Sequence, residues 1–236
     1  MIPLSESDGR IVFRESEFEP IVRRYDTIAF GMGIGNSAET VKAVRYLLEN
    51  YDKTLIIDAD GLNAMSELDH SLIRSSRARL VLTPHLKEFS RLSGMTVAEA
   101  KADPCAAACY LADELDAVVL LKGSTTVVAG SSVTGSSGAG ASENEIAGNE
   151  RFVLMTDRGC AGMATAGSGD VLSGILAAVC AMTDDLTLAA AAGAYINGAA
   201  GELAMSRRSD VTMTAADTAM CVAEAVEEII GKGRGH

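Results

Sequence analysis

Four short apolar runs, "TIAFGMG", "TLIIDAD", "RLVLTPH" and "AVVLLKG", recur down the first half of the chain with helical patterns between them. Each run is nearly continuous in aliphatic residues, the composition of a strand covered on both faces. The intervening "SAETVKAVRYLLEN", a stretch near 61–75, "KEFSRLSG" and "PCAAACYLADEL" carry helical spacing. Strands and helices in that rhythm require crossover connections, which build a parallel sheet. The expected fold is α/β: three layers, with helices on both faces of a mostly parallel central sheet.

Every one of the four runs ends in a polar or glycine-bearing loop: "GMGIGNS", "DADGLN", "TPHLKE" and "KGST". Ligands of open α/β sheets lie beyond the carboxyl ends of the strands, so these loops nominate one crevice. Two more strands, "TTVVAG" and "RFVLMTD", flank the polar stretch 131–150, which has no periodicity. That stretch reads as a flexible insert, either a solvated loop or a substrate lid. The rest is helical: "DVLSGILAAVCAM" is apolar nearly all round, "LTLAAAAGAYINGAAGELAM" is small enough for close helix packing, and Thr214 with Asp217 has capping-box spacing. A length of 236 residues suits one domain, 1–236.

The net charge of −12 excludes nucleic acid as the main partner, because phosphate neutralisation needs clustered Lys and Arg. "MIPLSESDGR" has neither a basic nor an apolar region of a leader, and the long apolar runs are broken by Gly, Ser, Asn197 and acids. A soluble, cytoplasmic protein with no membrane partner is expected. The five cysteines are odd in number and lack Cys-x-x-Cys spacing, so neither a disulfide framework nor a zinc ribbon follows. Cys105 and Cys109 read as small thiols rather than metal ligands.

"GCAGMATAGSGDVLSGI" (159–175) sets five glycines around one acid, Asp170. A glycine-rich loop entering a helix presents unpaired N–H groups at the positive end of the helix dipole. Ala166, Gly167, Ser168 and Gly169 would cradle an anion there. Asp170 is then either a base for a hydroxyl attacking a phosphoryl group or a first-turn acid complementing the dipole. Lys122 ends a strand and is followed by Gly123, Ser124, Thr125 and Thr126, a set suited to phosphate oxygens, although a surface lysine also ends many strands. Asp58, Asp60 and Asn63 either hold magnesium-bound water or cap the next helix. Pro84 stops its strand before His85 and Glu88, and either aims the imidazole into the crevice or leaves it merely exposed.

In this order, "GMGIG", "DADGLNAM", "LTPHLKEFSRL", "VVLLKGSTTVV" and "GMATAGSGDVLSGI", with "AYINGAAGELA" and "TMTAAD" after them, resemble the ADP-dependent NAD(P)H-hydrate dehydratase family of the ribokinase-like superfamily. The resemblance runs from about residue 20 to the end. It implies a ribokinase-like fold and repair of nicotinamide nucleotides hydrated at C6, with ADP as phosphoryl donor and AMP and phosphate as by-products. By matching position it implies Asp170 as base and Ala166, Gly167, Ser168 and Gly169 as anion hole. Lys122, Gly123, Ser124, Thr125, Thr126 and Gly169 would contact ADP or AMP. Gly33, His85 and Asp170 would contact the hydrated cofactor. The resemblance also implies Mg2+, with ligands unassigned, and a homo-oligomer such as a tetramer.

Three departures stand out. The family's N-terminal segment, with "KG..G", a strand and a Gly-Ala-Ala helix, has no counterpart, so the sheet is expected to lack N-terminal strands. Cys160 and Ala161 stand where the family often has Asn-Pro, and the insert at 131–150 is longer than the usual hairpin tip. Two other readings compete: an ATP-dependent ribokinase-like kinase of a vitamin precursor, and a catalytically impaired remnant that binds nucleotide.

Overall fold

The computed structural model describes residues 3–131 and 151–233. The predicted insert therefore lies, past its first residue, outside the described residues. The chain opens with a short antiparallel hairpin, β1 (Glu6–Ser7) and β2 (Arg10–Ile11), then α1 (Glu15–Arg24). The order continues β3 (Thr27–Phe30), α2 (Ala38–Asn50), β4 (Thr54–Ile57), α3 (Asp60–Met65), α4 (His70–Arg74) and β5 (Arg79–Leu82). It then runs α5 (Leu86–Ser93), α6 (Val97–Ala102), α7 (Pro104–Leu115), β6 (Val118–Leu121), β7 (Thr126–Ser131) and β8 (Arg151–Thr156). A 3-10 turn (Ala161–Met163) leads to α8 (Ser168–Cys180), α9 (Leu186–Arg207) and α10 (Ala215–Gly233).

The strands stand in the order β3-β4-β5-β6-β7-β8. Pairings from β3 to β6 are parallel, and β7 and β8 complete the sheet antiparallel, so the mostly parallel sheet expected from the apolar runs is present. Among the described residues β3 is an edge, pairing only with β4.

The side-chain alternation of the strands creates the three layers. Leu55, Ile57, Leu80, Leu82, Val119 and Leu121 face one way, onto Leu47 of α2, Leu62 of α3, Phe89 of α5 and Leu111 of α7. Ile56, Val81, Val118 and Leu120 face the other, onto Leu172 and Leu176 of α8 and Leu186 and Ala190 of α9. Each such side chain, fully buried, contributes roughly 1.5–3 kcal/mol. A charge at Leu82 or Ile56 would have no partner on either face and would break the layering.

Two glycines set how tightly β3 and α3 meet. Gly31 has φ +125°, and a Cβ there would stand 1.9 Å from the Asp58 carbonyl oxygen; one on Gly61 would stand 2.9 Å from the Phe30 carbonyl oxygen. Only glycines allow the two strand ends to approach so closely. The turn they permit leaves Ala59, between Asp58 and Asp60, at φ 50°, ψ −120°, a region L-residues rarely occupy.

Candidate active site

The carboxyl ends of β4 and β6 meet the amino end of α8. Asp58, at the end of β4, is 1% exposed. Its Oδ1 lies 2.6 Å from Lys122 Nζ and accepts the Ala59 N–H at 2.8 Å, while its Oδ2 accepts the Ser173 hydroxyl at 2.9 Å. A buried carboxylate is tolerable only when paired and hydrogen-bonded, and both oxygens here are. Lys122 keeps 23% of its side chain open to solvent. Its backbone N–H donates to the Pro84 carbonyl at 2.8 Å, which fixes where the side chain starts.

Helix α8 begins beside this pair. Gly167 sits at the N-cap with φ 87° and no side chain caps the end. A Cβ on Gly169 would stand 3.4 Å from Asp58 Oδ2 and 3.9 Å from Lys122 Nζ. The helix dipole and the ammonium therefore act on one spot. Ser168 gives its N–H to the Thr165 carbonyl at 3.3 Å, and the first bond inside the helix runs from Val171 to Gly167 at 3.1 Å. Of the run proposed from sequence as an anion hole, Ala166 to Gly169, the Ser168 N–H is therefore already paired within the loop. Asp170 is exposed on the first turn, its side chain with no hydrogen bond or ion pair among the described residues.

A cavity of about 570 Å³ opens at this corner, within the range of small-molecule sites. Of the residues nominated from sequence, Lys122, Gly123, Ser124, Thr126, Ser168 and Gly169 line it; Thr125, Ala166, Gly167, Asp170, His85 and Gly33 do not. Its far wall is formed by α9 and by the loop from Arg158 to Ala164. That loop sits on α9 through glycines: a Cβ on Gly198 would stand 2.6 Å from the Arg158 backbone, and one on Gly201 2.2 Å from Met163 Sδ. Arg158 pairs with Glu202 at 2.9 Å, and Glu202 also accepts the Gly159 N–H at 2.9 Å. Cys160 donates to the Gly201 carbonyl at 3.4 Å, so the thiol anchors the loop.

The other nominated loops take defined roles. His85 forms a capping box on α5: its Nδ1 accepts from the Lys87 and Glu88 N–H groups at 3.0 and 3.2 Å, and Glu88 accepts the His85 N–H at 2.9 Å. The ring is nonetheless 49% exposed, and His85 bridges to Lys122 along the sheet. Gly33 is exposed in the loop after β3 at φ +65°. The N-terminal hairpin lies against that loop, the Ile11 N–H donating to the Ile34 carbonyl at 3.1 Å. The capping reading of Asp58, Asp60 and Asn63 is corrected: Ala59 is the N-cap of α3, without a side-chain bond. Asp58 holds Lys122, Asp60 accepts the Gly35 N–H at 2.9 Å, and Asn63 accepts from Arg91 at 2.6 Å.

Sequence reasoning missed Ser173, Arg158 and Asn197. Ser173 lies on a helix that read as uniformly apolar, and nothing local marks a partner 115 residues away. Asn197 did carry a signal, a lone amide in an Ala- and Gly-rich helix. Among the described residues no cluster of three or more His, Cys, Asp or Glu is placed to hold a metal, and no helix is long and apolar enough to cross a membrane.

The chain is thus an α/β protein with a mostly parallel sheet, a lysine just past the end of β6 and an uncapped, glycine-led helix beside it. The crystal structure of the ADP/ATP-dependent NAD(P)H-hydrate dehydratase from Bacillus subtilis, co-crystallised with ATP and Mg2+, has the same fold: TM-score 0.70 at 24% identity, over 86% of this chain and 65% of that one. The NAD(P)H-hydrate dehydratase family profile matches residues 6–223, and the chain belongs to that family. It is 35% identical to the bifunctional NAD(P)H-hydrate repair enzyme Nnr of Moorella thermoacetica, over 99% of this chain and 42% of that protein. It is 36% identical to the ADP-dependent (S)-NAD(P)H-hydrate dehydratase of Neisseria meningitidis serogroup B, over 78% of this chain and 58% of that protein. The chain thus spans about half the length of these curated relatives.

Proposed function

We propose that the protein is an ADP-dependent NAD(P)H-hydrate dehydratase, a single ribokinase-like domain over 1–236 that returns hydrated NADH or NADPH to the reduced cofactor. The observation that carries this reading is the convergence of Lys122, held by buried Asp58, with the uncapped start of α8 at Gly169, one residue before the exposed Asp170. A fixed positive charge and a helix N-terminus suit the terminal phosphate of a nucleoside diphosphate, and the relatives' names supply ADP as the nucleotide.

Asp170 takes the proton of the C6 hydroxyl as that oxygen attacks the β-phosphorus of ADP, and the bond from phosphorus to the AMP oxygen breaks. Ser168 and Gly169 with Lys122 hold the charge that develops on the transferring phosphoryl group. The C6 phosphate ester then leaves as inorganic phosphate, driven by the ring-nitrogen lone pair, and loss of the C5 proton restores NAD(P)H. Gly123, Ser124, Thr125 and Thr126 contact the nucleotide, and Gly33 and His85 the hydrated cofactor. Mg2+ would enter on the nucleotide phosphates with its own waters, as the lack of a carboxylate cage among the described residues fits, and would neutralise phosphate charge. A cytoplasmic homo-oligomer, such as a tetramer, completes the reading.

The test is recovery of NADH absorbance from hydrated NADH on adding protein, ADP and Mg2+. Recovery is expected. No recovery while the Neisseria meningitidis relative works in parallel would contradict the proposal, and a persistent phosphorylated product made with ATP would favour a small-molecule kinase instead.

A further inference from the structure

We propose that Asn197 reads the base of the bound nucleotide, accepting a hydrogen bond from the adenine amino group and donating one to adenine N7. The proposal rests on the nucleotide reading above.

Asn197 lines the cavity from α9 and is only 8% exposed, yet its Oδ1 is buried with no hydrogen-bond partner. A buried carbonyl oxygen without a donor is costly, so its donor is expected from whatever occupies the cavity. The surrounding wall gives it no bond: Leu172, Ala194 and Met163 are apolar, Lys122 is engaged by Asp58, and Arg158 Nε and Ser168 Oγ, on the same cavity, are themselves unpartnered and not bonded to Asn197. The lining divides by chemistry, with Lys122, Ser124 and Gly169 suited to phosphate and the apolar residues around Asn197 suited to the flat faces of a base.

Adenine presents a donor and an acceptor side by side, the N6 amino group and N7, and an Asn amide matches both at once. Guanine and hypoxanthine present two acceptors there, O6 and N7. An Asn amide offers one donor edge and one acceptor edge, so in either orientation it leaves one acceptor facing another. Asn197 thereby selects against 6-oxopurines at a position far in sequence from the phosphate loops.

The experiment is calorimetric titration of the full chain with ADP, inosine diphosphate and 2′-deoxy-ADP, for the wild type, Asn197→Ala and Asn197→Leu. Wild type is expected to bind ADP about tenfold or more tighter than inosine diphosphate, the discrimination a bidentate contact gives. Both variants are expected to bring the two affinities within about twofold of each other. A wild type that binds ADP and inosine diphosphate equally would overturn the inference while leaving the nucleotide reading intact, and this result needs no variant to fold. Variants that keep the wild-type ratio would overturn it as well. So would a 2′-deoxy-ADP deficit present in wild type and absent from both variants, because Asn197 would then be reading the ribose. A wild type that binds no ADP overturns the nucleotide reading and this inference with it.

Discussion

Asp170 and Lys122 are both proposed to act on the transferred phosphoryl group, but their loss should be read in different measurements. Asp170→Asn removes the proposed base and leaves the amides, so turnover should fall by about 100-fold or more while the ADP dissociation constant changes by less than about threefold. Lys122→Ala removes a charged donor from the phosphate and should weaken ADP binding about tenfold or more by calorimetry. It also strips the counter-charge from Asp58, so a lower urea midpoint should accompany it. Ala59→Gly should act the other way. At φ 50°, ψ −120° the alanine carries strain of roughly 1–3 kcal/mol, and glycine, after its own entropic cost, should stabilise the fold by about 1 kcal/mol with no change in denaturant slope. The positions of Asp170, on the first turn of α8, and of Lys122, just past β6, were legible because each adjoins a stretch with its own pattern. The grip of Asp58 on Lys122 was not, because it joins two strand ends 64 residues apart and exists only once the sheet has formed.

At the scale of elements, legibility followed how much of an element's stability is local. The strands were visible because each is apolar throughout. Helix α10 announced its start through Thr214 and Asp217, and the box is there: Asp217 accepts the Thr214 N–H at 2.9 Å and its hydroxyl at 2.8 Å. Helix α6 carried a similar sign, Thr96 and Glu99, but only Ala100 among its residues is buried, too weak an apolar pattern to notice. The N-terminal hairpin and α1 depend on Phe18 and Val22 reaching Phe13, Phe30 and Tyr46, contacts no local pattern encodes. The Thr214 hydroxyl, with the Thr214 N–H and then Arg208 adding to it, holds the Asp217 carboxyl below its ordinary value of 3.8. A carboxyl lowered in the folded state stabilises it fully above the ordinary value, and that contribution is lost as pH falls through the lowered one. The stability gap between wild type and Thr214→Ala should therefore be larger at neutral pH than near pH 3, by urea unfolding at both. A gap that does not narrow in acid would remove the charged carboxylate from the cap.

For the whole molecule, the alternation of strands and helices fixed the layers and the crevice, while the wall that closes the cavity had to be seen. That wall is the Arg158 to Ala164 loop pressed onto α9 at Gly198 and Gly201, and its seating is backbone against backbone. Gly198→Ala should lift the loop, because a Cβ would stand 2.6 Å from the Arg158 backbone, and should raise the ADP dissociation constant without touching any group proposed to contact phosphate. The most direct measurement of the central claim is the product ratio: NADH, AMP and inorganic phosphate counted together from hydrated NADH and ADP, for wild type and Asp170→Asn. One AMP and one phosphate per NADH from wild type, with all three products absent from a variant that still binds ADP, is the predicted result. NADH formed without AMP, or an Asp170→Asn variant that keeps more than about a tenth of the wild-type rate, would contradict phosphoryl transfer with Asp170 as its base.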